Sequence, residues 1–289
     1  DRLRARRSRL MSDAAGGEVE SWRRAIASSP APPRPLIVLD AIGSTMDAAR
    51  LEPAGTAVFA LRQHQGRGRL GRRWHDDEPD GVAMTAVLVA EDALAAARLG
   101  LAAAVGAAAA IESKLSTAAP SSRRVGIKWP NDVLVDGRKI AGVLVERVGD
   151  RALVGIGVNV LQRSFPAELA DRATSLRLAV APADPPDRAE VAAGLWRAFS
   201  EAVSLSEDAL RSSWLRRDWL SGRRAILRHG TETLRGRVLA IDPLEAIEFE
   251  VESSEAEGTK RRLDAAMVEV IEVDREEWTS PPSRTDLPA

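Results

Sequence analysis

Leu36-Ile-Val-Leu39 opens the regular part of the hydrophobic pattern and predicts a short buried strand. Gly43-Ser44-Thr45 then predicts a helix to about Leu51, with Ser44 or Thr45 as its N-cap. Thr56 to Leu61 and Val82 to Val89 predict two further strands. Between them, Gln63 to Asp80 is dense in Gly and Arg and has no hydrophobic period, so it reads as a long loop. Long loops in compact domains are commonly functional or disordered. Asp92 to Leu115 is Ala-rich and predicts a long buried helix. Arg124–Trp129 and Val133–Val135 predict strands around Pro130, and Asp136-Gly137 predicts a hairpin turn. Ile140–Glu146 should pair with Ala152–Val160 across Gly149-Asp150. Helices return at about Asp187–Leu205 and Glu207–Trp214. This alternation predicts an α+β fold, a mixed sheet with helices on one side.

From Trp219 the texture changes to five short alternating runs: Arg224–Arg228, Leu234–Ile241, Ile247–Val251, Lys260–Leu263 and Met267–Val273. They predict a small β-barrel. The proline cluster Pro30-Ala-Pro-Pro-Arg-Pro35 reads as a linker. The expected organisation is a disordered basic and Pro-rich lead over 1–35, a catalytic domain over 36–218, a β-barrel over 219–274 and a disordered tail over 275–289. No internal repeat is visible.

Composition narrows the function classes. The 289 residues are 45% hydrophobic and 29% charged, the profile of a globular protein. Lys+Arg (41) and Asp+Glu (42) nearly cancel, which opposes a nonspecific nucleic-acid binder held by charge. Cysteine is absent, which removes thiol nucleophiles and thiolate metal sites, and three histidines (His64, His75, His229) oppose a His-rich zinc centre. Tyrosine is also absent. Lysine occurs only at Lys114, Lys128, Lys139 and Lys260, so each lysine stands out in an arginine-dominated chain. The longest uncharged apolar run, Leu99–Ile111, falls short of the ~18–20 residues a bilayer requires. The basic N-terminus lacks a signal-peptide core, so the chain reads as cytoplasmic. Residue 1 is not methionine, and residues 1–10 read either as an extension ahead of a start at Met11 or as a trimmed or disordered arm.

Gly66-Arg67-Gly68-Arg69-Leu70-Gly71 matches G-x-G-x-x-G, but the dinucleotide fingerprint needs a helix immediately after it. Here Arg72-Arg73-Trp74 and an acidic stretch follow. Glycines with alternating arginines suit an anion cradle instead, or a solvated basic turn. Lys128-Trp129-Pro130-Asn131-Asp132 lies at a strand end, either as an ordinary turn or as a platform for the Lys128 charge. Gly155-Ile-Gly157-Val-Asn159 puts two glycines in a strand, the mark of a bulge or of close approach by a ligand or another backbone. The Ser44 and Thr45 hydroxyls could serve an anionic or polar ligand as well as a cap. His75 reads as a surface residue, and Trp214 and Trp219 as interdomain packing.

Taken in order, these motifs resemble the biotin protein ligases, also called biotin–[acetyl-CoA-carboxylase] ligases. The elements are Gly43-Ser44-Thr45, Gln63-x-x-Gly66-Arg67-Gly68-Arg69, Gly71-Arg72-x-Trp74, Lys128-Trp129-Pro130-Asn131-Asp132, Lys139-Ile140-Ala141-Gly142-Val143-Leu144-x-Glu146, Gly155-Ile156-Gly157-Val158-Asn159 and Ala173-Thr174-Ser175-Leu176. They cover about residues 36–180. Two positions depart from the usual pattern: Gln65 stands where alanine is common, and Met46 where asparagine is common.

The resemblance implies a monofunctional ligase with the biotin/lipoate-ligase catalytic fold and an SH3-like barrel. Such an enzyme joins biotin and Mg·ATP to biotinyl-5′-AMP, then passes biotin to a lysine of a biotin carboxyl carrier protein or domain of acetyl-CoA carboxylase or a related carboxylase. It implies Lys128, Arg69 and Arg67 as catalytic residues, and Ser44, Thr45, Gln63, Arg67, Gly68, Arg69 and Lys128 as biotin contacts. Arg72 and Asn159 would lie on the ATP side, and Asp132 is a candidate base or Mg2+ partner. The Gln63–Asp80 loop resembles the segment that orders over the ligand. The short lead opposes a winged helix-turn-helix, so no DNA partner is expected; no membrane partner is expected either, and a homodimer is compatible. A biotin-responsive DNA-binding repressor and a lipoate or octanoyl transferase of the same fold are the alternatives. None of the four lysines has a Met-Lys-Met context, so the chain is not itself a biotin acceptor.

Overall fold

The computed structural model describes residues 16–74, 78–118, 123–252 and 258–273. The expectations for residues 1–10, Met11, His75 and the 275–289 tail lie outside the described residues.

Seven strands form the larger sheet: β1 (Leu36–Ile42), β2 (Ala57–Gln63), β3 (Gly81–Val89), β4 (Val125–Lys128), β5 (Asp132–Val135), β6 (Arg138–Val148) and β7 (Arg151–Asn159). Their spatial order is β1-β2-β3-β7-β6-β5-β4. Only β1 and β2 run parallel; every other pair is antiparallel. The β5–β6 hairpin turns on Asp136 (φ 48°) and Gly137 (φ 77°), both in the left-handed region that an Asp-Gly pair tolerates.

The helices are α1 (16–27), α2 (Thr45–Ala49), α3 (Ala93–Ala118), α4 (Leu176–Val180), α5 (Arg188–Ser204) and α6 (Glu207–Leu215). One sheet face buries Phe59, Met84, Ala86, Val154 and Ile156 in a core shared with α3 and α5. α3 is long and apolar enough to cross a membrane, yet it is mostly buried within this core. The opposite face carries α2: Met46 and Ala49 pack on Val58, Val87 and Leu153. One short helix therefore departs from the expected one-sided layer, and the candidate site lies on its side.

The expected lead is partly ordered. α1 places Trp22 and Ile26 fully in the core, with Val19 against it. The Trp22 ring meets Phe59 edge-on at 6.5 Å, and the Arg188 guanidinium lies 5.0 Å over it. Arg188, itself buried, donates to Gly81 O (2.9 Å), Leu61 O (2.5 Å) and Glu18 (2.9 Å). The spacing of Val19, Trp22 and Ile26 puts all three on one helical face.

The second sheet has five antiparallel strands: β8 (Arg224–His229), β9 (Glu232–Asp242), β10 (Ala246–Val251), β11 (Thr259–Asp264) and β12 (Val268–Val273). Its order is β11-β10-β9-β8-β12, and among the described residues β11 and β12 do not pair to close the expected barrel. It is tied to the first sheet at β4. Ile127 N–H donates to Arg217 O (2.6 Å), Trp219 N–H donates to Ile127 O (3.1 Å), and Trp129 Nε1–H donates to Pro243 O (3.1 Å). Trp214 is fully buried and Trp219 nearly so.

Candidate functional site

Two cross-strand rows on the α2 face of the sheet are rich in small residues. Gly142, Gly157 and Ala83 form one row, and Gly155 and Thr85 stand beside Leu144 in the next. Neither glycine of β7 marks a bulge, because both neighbouring ladders run through it in unbroken register. Side chains from outside the sheet fill the space instead. A Cβ on Gly157 would stand 2.6 Å from the Trp74 indole, and one on Gly155 would stand 2.7 Å from Met46 Sδ. The result is a narrow cleft of about 50 Å3.

The cap of α2 supplies the polar end of this cleft. Ser44 Oγ accepts from Met46 N–H (3.3 Å), so Ser44 is the N-cap. Thr45 N–H donates to Gln63 Oε1 (2.8 Å), and Thr45 Oγ1 donates to the same oxygen (3.0 Å). Thr85 Oγ1 donates to Thr45 Oγ1 (2.9 Å). All four residues are buried. Thr85 escaped the sequence reading; its only signal was a lone polar residue in the apolar run of β3.

The described part of the Gly/Arg loop is a tight hairpin. Trp74 N–H donates to Gly66 O (2.9 Å), Gly68 N–H donates to Arg72 O (2.8 Å), and a 3-10 turn spans Arg69–Gly71. Gly66 is required there, since a Cβ would meet Trp74 O at 2.6 Å. The hairpin brings Arg67, Gly68 and Arg69 to the cleft. Arg67 Nη2 reaches Asp47 (3.2 Å) and Glu146 (3.1 Å), while Glu146 also holds Arg50 (2.7 Å). Arg67 Nε is buried and has no hydrogen-bond partner among the described residues. Arg69 Nη1 donates to Asn131 Oδ1 (3.3 Å). Burial lowers the Arg69 pKa, against the opposing pull of Asp132 and Glu269. Of the two departures from the family pattern, Gln65 is exposed and Met46 is buried beside the cleft.

A second, wide groove of about 1240 Å3 meets the cleft where Gly68, Arg69, Trp74, Asn131 and Lys139 border both. Lys139 borders both cavities, whereas Lys128 borders the groove. Lys139 is held closely: its N–H donates to Arg172 O (2.8 Å), its O accepts from Thr174 N–H (2.9 Å), and Nζ lies 2.6 Å from Asp132 Oδ1 and 5.6 Å from the Trp74 ring centroid. Asn159 Nδ2 donates to Thr174 O (3.0 Å). The Ala173-Thr174-Ser175 motif is thus a strap on Lys139, and Ser175 also caps α4. Arg72 and Asn159 border the groove, as does Asp132.

The residues at Asp132 do not fit a protein-held Mg2+. One carboxylate oxygen is already paired with the Lys139 ammonium, and no group of three or more His, Asp or Glu gathers anywhere among the described residues. Mg2+ without a carboxylate cage is bound chiefly through the substrate's phosphates.

The mixed sheet, its small-residue cleft and the Gly/Arg hairpin have counterparts among known proteins. Residues 42–162 match the Biotin/lipoate A/B protein ligase family. The biotin–[acetyl-CoA-carboxylase] ligase of Paracoccus denitrificans is 33% identical over 211 residues, covering 68% of this chain and 85% of that protein. The bifunctional ligase/repressor BirA of Bacillus spizizenii is 40% identical over 154 residues, covering 49% of this chain and 46% of that protein. The chain therefore spans about half the length of the BirA relatives it matches. In structure, the biotin protein ligase of Aquifex aeolicus solved with biotin and ATP superposes with a TM-score of 0.68 at 27% identity, over 81% of this chain and 97% of that one. The chain belongs to the biotin/lipoate protein ligase family.

Proposed function

We propose that this protein is an ATP-dependent biotin protein ligase that forms biotinyl-5′-AMP and transfers biotin to a carrier-protein lysine. The observation that carries the reading is the pair of cations, Lys139 and Arg69, among the residues that border both cavities. The narrow cleft takes biotin, with Ser44, Thr45, Gln63, Arg67, Gly68 and Arg69 around it. The groove takes the nucleotide, with Arg72, Asn159 and Lys128 along it, and later the carrier lysine. The carboxylate of biotin is already ionised at neutral pH and needs no base. Its oxygen attacks the α-phosphorus, the bond to pyrophosphate breaks, and pyrophosphate leaves. Repulsion between the two anions is the main obstacle, and fixed cations offset it. Lys139 and Arg69 sit where the reactants meet. The acceptor amine then attacks the acyl carbon, the bond to AMP breaks, and the amine gives up a proton, for which Asp132 is the nearest carboxylate to Lys139. Magnesium belongs to the nucleotide as part of the substrate.

The test is ATP–pyrophosphate exchange driven by biotin and by lipoate in parallel. Biotin-dependent exchange, followed by labelling of a biotin carboxyl carrier domain, is the expected result. Exchange with lipoate alone overturns the reading. A gel shift with biotin-gene promoter DNA across salt concentrations separates the repressor alternative.

A further inference from the structure

We propose that Thr85 is a positioning residue that holds the Thr45 hydroxyl in its hydrogen-bond direction at the polar end of the cleft, and with it sets the kind of ring group the cleft accepts. The proposal rests on the ligase reading above. Thr85, Thr45 and Gln63 form a buried chain in which one backbone group dictates every direction. Thr45 N–H can only donate, and it meets Gln63 Oε1 at 2.8 Å, so the amide oxygen faces α2. Thr45 Oγ1 lies 3.0 Å from that same oxygen and must give it its one proton. Thr85 Oγ1, 2.9 Å from Thr45 Oγ1, must then donate in turn.

Two groups remain for a ligand. Gln63 Nε2 faces away from α2 and forms no hydrogen bond within the described residues. Thr45 Oγ1 keeps one lone pair. A donor beside an acceptor complements a ring carbonyl beside a ring N–H, as in a cyclic urea or lactam. A dithiolane or an alkyl chain presents no such pair, and binding it would leave both protein groups unsatisfied. Without the Thr85 hydroxyl, a buried lone pair on Thr45 is stranded. The Thr45 hydroxyl is then free to turn its proton away from Gln63 Oε1, and that turn spoils the donor–acceptor pair.

The experiment measures KM for biotin, KM for ATP and kcat by pyrophosphate exchange, with thermal melts, for Thr85→Val, Thr85→Ala and Thr85→Ser. Val and Ala should raise the biotin KM about tenfold, the effect of a stranded buried acceptor, with ATP KM and kcat within about twofold of the parent. Ser, which keeps the hydroxyl, should restore the biotin KM to within about threefold. Should Thr85→Val fail to fold, the Ala and Ser pair makes the same comparison. An unchanged biotin KM in Val and Ala, an equal rise in both KM values, or a Ser variant as impaired as Ala overturns the role of Thr85 while leaving the ligase reading intact. A parent enzyme that shows no biotin-driven exchange overturns both.

Discussion

Lys139 Nζ stands 2.6 Å from Asp132 Oδ1, and this pair sits where the narrow cleft opens into the wide groove. A compact ammonium can turn from one anion to the next, whereas a guanidinium prefers side-on pairing with a single anion. Lys139→Arg should therefore behave like Lys139→Ala, with adenylation slowed by roughly 10²–10³, the usual effect of losing one well-placed donor. Lys128→Arg should lose less, because Lys128 borders only the groove. Single-turnover formation of biotinyl-AMP measures both. A Lys139→Arg enzyme at parental rate contradicts the assignment.

Arg69 reaches the site from the hairpin and is steadied by Asn131. Its loss should harm retention of the adenylate more than its formation. For Arg69→Ala, biotinyl-AMP should escape into solution and label bystander lysines. The check is release of labelled adenylate after rapid gel filtration, and parental retention would refute the clamp.

The cleft, at about 50 Å3, is far below the ~300 Å3 or more of typical small-molecule pockets, and the Trp74 indole lies on its glycine floor. Biotin should move that indole. Its addition should change tryptophan emission in the parent and leave Trp74→Phe unaffected. A response of equal size in Trp74→Phe would place the motion elsewhere.

Asp218, beside β4 at the junction of the sheets, is half-buried, and loss of solvent raises its pKa above the ordinary carboxylate value despite hydrogen bonds from Ser221 and Leu220. The folded state thus binds this proton more readily than the unfolded chain. Between the two pKa values, stability falls as pH rises, and the full deficit is present above the folded pKa. Asp218→Asn keeps the acceptor oxygen and removes the charge. Its melting temperature should match the parent's in acid and exceed it increasingly as pH rises through the folded pKa. Parallel melting curves across pH would exclude this.

Trp22→Ala should destabilise the protein by about 3–5 kcal/mol, the range for emptying a large aromatic site in a core. Urea unfolding measures it. A loss below about 1 kcal/mol, closer to a surface substitution, would mean that α1 is peripheral.

Most of the larger sheet was legible because its strands are apolar runs between strong turn signals, as at Asp136-Gly137. α1 was not, because Val19, Trp22 and Ile26 stand among Ser, Ala and Arg, just before the Pro30–Pro35 cluster. From the sequence, Lys128 is the expected site lysine and Lys139 has no assigned role. In the structure Lys139 borders the cleft and Lys128 the groove, a difference that the pairing of β5 with β6 and the 172–174 strap set and that no motif displays. Thr85 was invisible for a different reason: a buried threonine in a strand ordinarily satisfies itself locally, and its partner lies 40 positions away.

Gly155 and Gly157 leave vacancies that Met46 and Trp74 occupy from α2 and from the hairpin. The sheet sets only an upper bound on the cleft; its working depth belongs to two side chains outside the ladder. Shortening Met46 would deepen one end and leave every strand pairing in place. Room for longer or bulkier ring systems is therefore open to re-engineering at a position outside the strand ladder.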